Sequence, residues 1–106
     1  MFDDSPKTVL LVEDEQIVAL NQKTMLQRNG IRTRVVHSGE KAVRLIQDDP
    51  EIDLVLMDID LGPGMDGIVT ARRILALREL PVVFLTGHVE KAIVEQVRTV
   101  TRYGYV

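Results

Sequence analysis

Two short, almost wholly apolar segments of this chain each end in carboxylates. Thr8–Val12 is followed by Glu13 and Asp14, and residues 52–57 are followed by Asp58. Such segments are typical of strands buried on both faces of a parallel sheet, where ligands bind beyond the carboxyl ends of the strands. If the two strands are neighbours, three carboxylates converge, and their charge requires a cation or a proton. The sequence therefore predicts a hard divalent metal beside a carboxylate that can act as nucleophile or acceptor.

Composition restricts the chain to one acidic domain. Its 106 residues suffice for a single core, its formal net charge is −3, and it has no basic block, so we expect no direct nucleic-acid partner. The absence of cysteine excludes disulfides and thiolate metal sites. No apolar run reaches the length of a membrane span, and residues 1–6, which we expect to be disordered, do not resemble a signal peptide. We therefore expect a cytoplasmic protein without a membrane partner.

Strand and helix patterns alternate along the chain. The predicted strands are residues 8–12, 32–37, 52–58, 81–85 and 104–106, and the predicted helices are approximately 15–29, 38–48, 66–78 and 89–100. Ser38 and Asp66 are the predicted N-caps of the second and third helices. The inward-facing residues predicted from helical spacing are Ile17, Leu20, Met25 and Leu26, then Ala42, Leu45 and Ile46, then Ile68, Ala71 and Leu75. This alternation predicts an α/β fold, with a doubly wound parallel sheet of five strands between helices.

Several segments, in order and at suitable spacing, resemble the receiver domain of response regulators. They are residues 10–14 (LLVED), 56–58 (LMD) with 65–67 (MDG), 82–87 (VVFLTG) and 103–106 (YGYV). The resemblance covers nearly the whole chain, so we expect a receiver domain over residues 7–106. It implies a flavodoxin-like fold with strand order 2-1-3-4-5, truncated at the fifth strand, so that the last helix is missing from this chain.

The resemblance also implies how the carboxylates are used. Asp58 would be the phosphoacceptor, taking a phosphoryl group from a phosphohistidine of a sensor histidine kinase or a phosphotransfer protein. Asp14 and Asp58 would ligate Mg²⁺ (or Mn²⁺) directly, Glu13 would do so through water, and Asp60 would contribute its backbone carbonyl. The chain would then be a signalling domain of a two-component system and not an enzyme.

Three residues near the end of the chain resemble those with which the family binds the phosphoryl group and changes conformation. The Thr86 hydroxyl and the Gly87 amide would hydrogen-bond the phosphoryl group. Movement of Thr86 would let Tyr105, the switch aromatic, turn inward and change the surface around it. The resemblance therefore implies that phosphorylation alters a partner-binding surface, with a receiver–receiver dimer as one outcome.

The sequence departs from the family pattern in two places. One more residue than usual separates Asp58 from Gly67, so the loop of residues 61–64 is extended. The family's lysine that follows the fifth strand would come after Val106, which favours a domain excised from a longer chain. In the family, the positive charge of this lysine would help to compensate the negative charge of the phosphoryl group, so its absence from this chain would weaken that compensation.

Two other functions fit parts of the sequence. A degenerate receiver could act only as a binding or dimerisation module, although the presence of Glu13, Asp14, Asp58 and Thr86 favours an acceptor. The spacing of Asp58 and Asp60 also resembles the Asp-x-Asp nucleophile motif of haloacid-dehalogenase-like phosphatases, in which the second aspartate is the general acid and base. In that family the motif follows the first strand, whereas here it follows the third.

Overall fold

A computed structural model describes residues 7–59 and 61–85, which form a parallel sheet with helices on both faces. The strands are β1 (Thr8–Val12), β2 (Arg32–Val36), β3 (Leu54–Asp58) and β4 (Val82–Leu85), and the helices are α1 (Gln16–Arg28), α2 (Gly39–Asp48) and α3 (Gly67–Leu77). The predicted N-terminal lead, fourth helix and fifth strand lie outside the described residues. Within the part that is described, no helix combines the length and the apolar character needed to cross a membrane.

The four strands are arranged in the order β2-β1-β3-β4, and every neighbouring pair is parallel. The order reverses at β1, which pairs with β2 on one side and with β3 on the other. Parallel strands need a crossover connection, and here each crossover contains one helix. The predicted doubly wound, flavodoxin-like fold is therefore confirmed for these strands.

Alternate residues of β1 face two separate apolar clusters. Val9 and Leu11 point to the side covered by α1, in a cluster that also contains Leu26. Leu10 and Val12 point to the side covered by α2 and α3, in a cluster that also contains Ala42, Ile46, Met57, Leu61 and Ile74. The strands at the centre of the sheet are apolar on both faces because each face is covered by a helix layer.

The predicted N-caps of two helices are confirmed. The Ser38 hydroxyl accepts a hydrogen bond from the Lys41 amide at 3.2 Å, and the Asp66 carboxylate accepts one from the Val69 amide at 2.8 Å. Each side chain satisfies a backbone donor that has no partner within its own helix. Both caps lie at the edge of the sheet where β1 and β3 end, and they fix where α2 and α3 begin.

The predicted buried faces of α1 and α3 are partly wrong. Ile17 and Leu20 are 77% and 63% exposed, and Ile68 and Leu75 are 49% and 50% exposed. The buried residues of α1 are Ala19, Gln22 and Leu26, so the prediction is confirmed for Leu26 and wrong for Ile17 and Leu20. A helix turns by about 100° per residue, so Ile17 lies nearly opposite Ala19. Because the buried face of α1 includes the small Ala19 and the polar Gln22, hydropathy alone does not identify it.

The first turns of α2 and α3 approach each other closely at Gly39. A Cβ atom placed on Gly39 would overlap the Thr70 hydroxyl oxygen and would lie 3.1 Å from the Met65 carbonyl oxygen. The Thr70 side chain is fully buried, and its hydroxyl donates to the Asp66 carbonyl at 2.7 Å, so it has little freedom to move away. Only a residue without a side chain fits this contact.

We expect Gly39→Ala to lower the free energy of unfolding by about 2 kcal/mol, the usual cost of overpacking, although alanine favours helices. The penalty should be smaller in a Thr70→Ala background, because that substitution removes the overlapping hydroxyl. Urea unfolding of the wild type, both single variants and the double variant measures this coupling. A Gly39→Ala protein as stable as the wild type would contradict the close approach of the two helices.

Candidate functional site

The pairing of β1 with β3 brings together the carboxylates that the sequence places at the ends of these strands. Val12 and Met57 are partners in the parallel register, so Glu13 and Asp58 are the next residues of the two strands. Neighbouring strands lie about 4.8 Å apart. Each of Glu13, Asp14 and Asp58 offers a carboxylate oxygen, and these oxygens lie within 4.8 Å of one another. The predicted convergence of these three side chains is confirmed.

The backbone of Glu13 is held to the end of β2. Its amide donates to the Val36 carbonyl at 3.1 Å, and its carbonyl lies 2.9 Å from Nδ1 of His37. A carbonyl oxygen can only accept, so Nδ1 of His37 carries the proton in this bond. His37 therefore has a structural role in the described structure, because it fixes the point at which the chain leaves β1 and turns towards α1.

The backbone of Asp58 is held in turn by the start of α3. The Gly67 amide donates to the Ile59 carbonyl at 3.1 Å. A Cβ atom on Gly67 would overlap the carbonyl oxygen of Asp58 and would approach the Ile59 Cα to 2.9 Å. Glycine is therefore required at this position, and the MDG segment noted in the sequence supports the main chain of the predicted acceptor.

The loop between Asp58 and α3 passes beside Asp14. Leu61 anchors the loop in the apolar cluster between the sheet and α3, where it is 3% exposed. Gly62 follows with a φ of +72°, and a Cβ atom on it would lie 3.0 Å from Oδ2 of Asp14. The extended loop that departs from the family pattern is therefore in contact with a predicted metal ligand.

Burial makes Glu13 unlike an ordinary surface glutamate. The residue is 2% exposed, whereas Asp14 and Asp58 are half-buried. Burial raises the pKa of Glu13 from 4.5 to about 8, with further increases from a hydrogen bond to Asp58 and from that residue's charge. The Glu15 amide, which donates to Glu13 Oε2 at 3.3 Å, acts in the opposite direction. Near neutral pH, a proton on Glu13 therefore offsets part of the negative charge of the cluster.

The donor set of this cluster fits a hard divalent cation. All three side chains offer carboxylate oxygens, the ligands preferred by Mg²⁺. The half-buried positions of Asp14 and Asp58 leave part of the site open to solvent. Mg²⁺ usually keeps several waters and is held by one or two carboxylates, so an open site of this kind fits it better than a closed cage.

Other predicted site residues lie outside the described residues. They are Asp60, Thr86, Gly87 and Tyr105, and their roles stay predictions. Glu40 was not among the predicted site residues, yet its carboxylate accepts a hydrogen bond from the Met65 amide at the far end of the loop that contains Gly62. The extended loop and the MDG segment of residues 65–67 were sequence signals near this contact, but neither indicated Glu40 as the partner.

The chain is similar in sequence to members of one protein family. A family model described as the response regulator receiver domain matches residues 9–106. The transcriptional activator protein ExaE of Pseudomonas putida is 35% identical over 101 residues, covering 92% of this chain and 46% of that protein. The transcriptional regulatory protein PdtaR of Mycobacterium tuberculosis is 32% identical over 102 residues, covering 95% of this chain and 49% of that protein.

Solved structures show the same likeness. The N-terminal domain of a response regulator/sensory box/GGDEF 3-domain protein from Carboxydothermus hydrogenoformans is 47% identical, with a TM-score of 0.73 over 94% of this chain and 80% of that one. The present chain spans less than half the length of the two curated relatives above. The family match, the sheet order and the three converging carboxylates agree, and the chain belongs to the response regulator receiver domains, the signalling modules of two-component systems.

Proposed function

We propose that this domain accepts a phosphoryl group on Asp58 from a phosphohistidine of a sensor histidine kinase or a phosphotransfer protein. The observation that carries the proposal is the convergence of Glu13, Asp14 and Asp58 within 4.8 Å at the point where the strand order reverses. Support also comes from Gly67, which packs against the main-chain carbonyl of Asp58 at the start of α3. The donor and the cation are both supplied in the cytoplasm, where we place this function.

The transfer requires positioning and neutralisation of charge more than acid–base chemistry. An Asp58 carboxylate oxygen would form a bond to phosphorus while the phosphorus–nitrogen bond of the donor breaks, and the imidazole nitrogen would keep the electron pair. Asp14 and Asp58 would hold Mg²⁺, with Glu13 acting through water and Asp60 through its backbone carbonyl. When bound, Mg²⁺ supplies the positive charge that lets an anionic phosphoryl group approach these carboxylates.

Phosphorylation would be passed on through residues beyond β4. In this proposal the Thr86 hydroxyl and the Gly87 amide hydrogen-bond the phosphoryl group, and Tyr105 moves inward as Thr86 shifts. Such a change requires a balance between two states that a few charge-assisted hydrogen bonds can bias. The altered surface would bind a partner or a second receiver. Direct binding of nucleic acid by this segment is not part of the proposal.

Asp58→Asn should abolish phosphorylation by acetyl phosphate and Mg²⁺, whereas the wild type should gain one phosphoryl group, as measured by intact-protein mass spectrometry. The substitution is nearly isosteric and relieves repulsion among the carboxylates, so the folded state should be retained. Asp66→Asn is the matched control, because it removes the same charge at the same end of the sheet while asparagine still caps α3.

The same experiment separates the competing functions. An adduct that persists in Asp58→Asn would show that the acceptor is another residue. Continuous hydrolysis of the donor, far in excess of one equivalent, would favour the phosphatase. If a chain extended past Val106 binds Mg²⁺ but gains no phosphoryl group from either acetyl phosphate or a phosphohistidine donor, the binding or dimerisation module is favoured.

Binding of Mg²⁺ should strengthen as the pH rises from about 5 to about 8, because protons compete with the cation for the same oxygens. The pKa of Glu13 is higher in the folded than in the unfolded chain, so its contribution to stability is fully present below pH 4.5 and is lost as the pH rises through about 8. Without metal, the protein should therefore be less stable at pH 8 than at pH 5.5, and added Mg²⁺ should stabilise it more at the higher pH.

Glu13→Gln tests the origin of this dependence. The variant should be more stable than the metal-free wild type at pH 8 by about 2 kcal/mol, because it removes a buried charge, and its stability should vary less with pH. Thermal unfolding of both proteins at the two pH values, with and without Mg²⁺, provides the measurement. Parallel pH profiles in the two proteins would show that Glu13 does not carry the extra proton.

A further inference from the structure

The extended loop between Asp58 and α3 is held at both of its ends. At one end Gly62 lies against Asp14, since a Cβ atom there would be 3.0 Å from Oδ2. At the other end Oε1 of Glu40 accepts a hydrogen bond from the Met65 amide at 2.9 Å. Glu40 belongs to the first turn of α2, whereas Asp14 follows β1, so the loop connects the predicted metal site to a different element of the fold.

The segment between these two contacts has little conformational preference of its own. Gly62 and Gly64 have φ values of +72° and +98°, in the left-handed region that other residues rarely adopt. Glycine also loses the most conformational freedom when it is ordered, so such a loop needs outside contacts to keep one shape. Glu40 supplies one of them directly and also packs against Gly64, where a Cβ atom would lie 3.1 Å from Oε1.

The Glu40 carboxylate is suited to this role. It is exposed, so holding it in place costs little desolvation. Hydrogen bonds from the backbone, that of Met65 foremost, and the charge of Arg73 lower the pKa of Glu40. An ionised carboxylate is a stronger acceptor for an amide than a neutral side chain.

We propose that Glu40 is a positioning residue for the cation site: it fixes the loop through the Met65 amide so that Gly62 stays against the Asp14 carboxylate. The inference rests on the proposed function, because it assumes that Asp14 ligates Mg²⁺. It goes beyond that function by assigning a role in metal binding to a side chain of α2 that is not one of the three converging carboxylates. Groups that orient metal ligands typically affect affinity about 10–100-fold.

Two substitutions of Glu40 distinguish the effect of its hydrogen bond on Mg²⁺ affinity from the effect of its charge. Glu40→Ala should weaken Mg²⁺ binding by about tenfold, the low end for groups that support metal ligands. Glu40→Gln should bind more weakly than the wild type but more tightly than Glu40→Ala, because its neutral side-chain oxygen still accepts from Met65. Glu79→Ala, which removes an exposed glutamate beyond the far end of α3, should match the wild type. Calorimetric titration with Mg²⁺ measures the affinity without any phosphoryl donor.

The amide signals of the metal-free proteins give a second readout. In Glu40→Ala, the amide proton of Met65 should lose the downfield shift typical of a charge-assisted hydrogen bond, and the Gly62 signal should also move. Wild-type affinity in Glu40→Ala would overturn the proposal. Equal weakening in Glu40→Ala and Glu40→Gln would overturn it too, because the effect would then be one of charge. A wild type that binds no Mg²⁺ would instead count against the proposed function.

A glycine pair provides an independent test that leaves Glu40 intact. Gly62→Ala should weaken Mg²⁺ binding, because its Cβ would press on Asp14. Gly30→Ala is the matched control: Gly30 has a similar φ of +78°, but a Cβ atom there would have no described atom within 4 Å. Both variants should lose stability, yet only Gly62→Ala should lose affinity. Equal affinities in the two variants would show that the loop does not position Asp14.

Discussion

Repulsion among three carboxylates is the constraint on which the rest of this structure depends. Glu13, Asp14 and Asp58 are brought within 4.8 Å of one another by the pairing of β1 with β3, and one of them is almost completely buried. Left fully ionised and unpaired, such a cluster would destabilise the fold. Burial raises the pKa of Glu13, and protonation of this carboxylate relieves part of the repulsion. Protons and a cation would therefore compete for the same carboxylate oxygens, so the stability of the fold and the binding of a cation depend on each other.

The surrounding structure holds these groups in place although their repulsion opposes it. His37 and Val36 fix the main chain of Glu13, and Gly67 packs against the main chain of Asp58. Apolar contacts on both faces of β1 and β3 stabilise the register that brings the carboxylates together. The site is thus maintained by packing free energy from the core, as expected where a functional cluster disfavours the folded state.

Sequence patterns were sufficient where the cause is a local contact or the regular geometry of a sheet. The caps Ser38 and Asp66 follow from side chains that satisfy amides three residues ahead. The convergence of Glu13 and Asp58 follows from the pairing of two apolar strands that both end in acids. The buried face of α1 was not predictable in this way, because the residues that meet the sheet include a small and a polar side chain and not Ile17 or Leu20. The contact between Glu40 and Met65 was also hidden, because it joins residues far apart in the chain and requires the shape of a loop.

The first turn of α2 connects the cation site to the packing of the helices. Gly39 has no space for a side chain against Thr70 of α3, and the next residue, Glu40, holds the loop that borders Asp14. The packing at Gly39 gives the first turn of α2 a fixed position, and from there Glu40 reaches the Met65 amide. The close contact between α2 and α3 therefore also determines where the loop beside Asp14 is held.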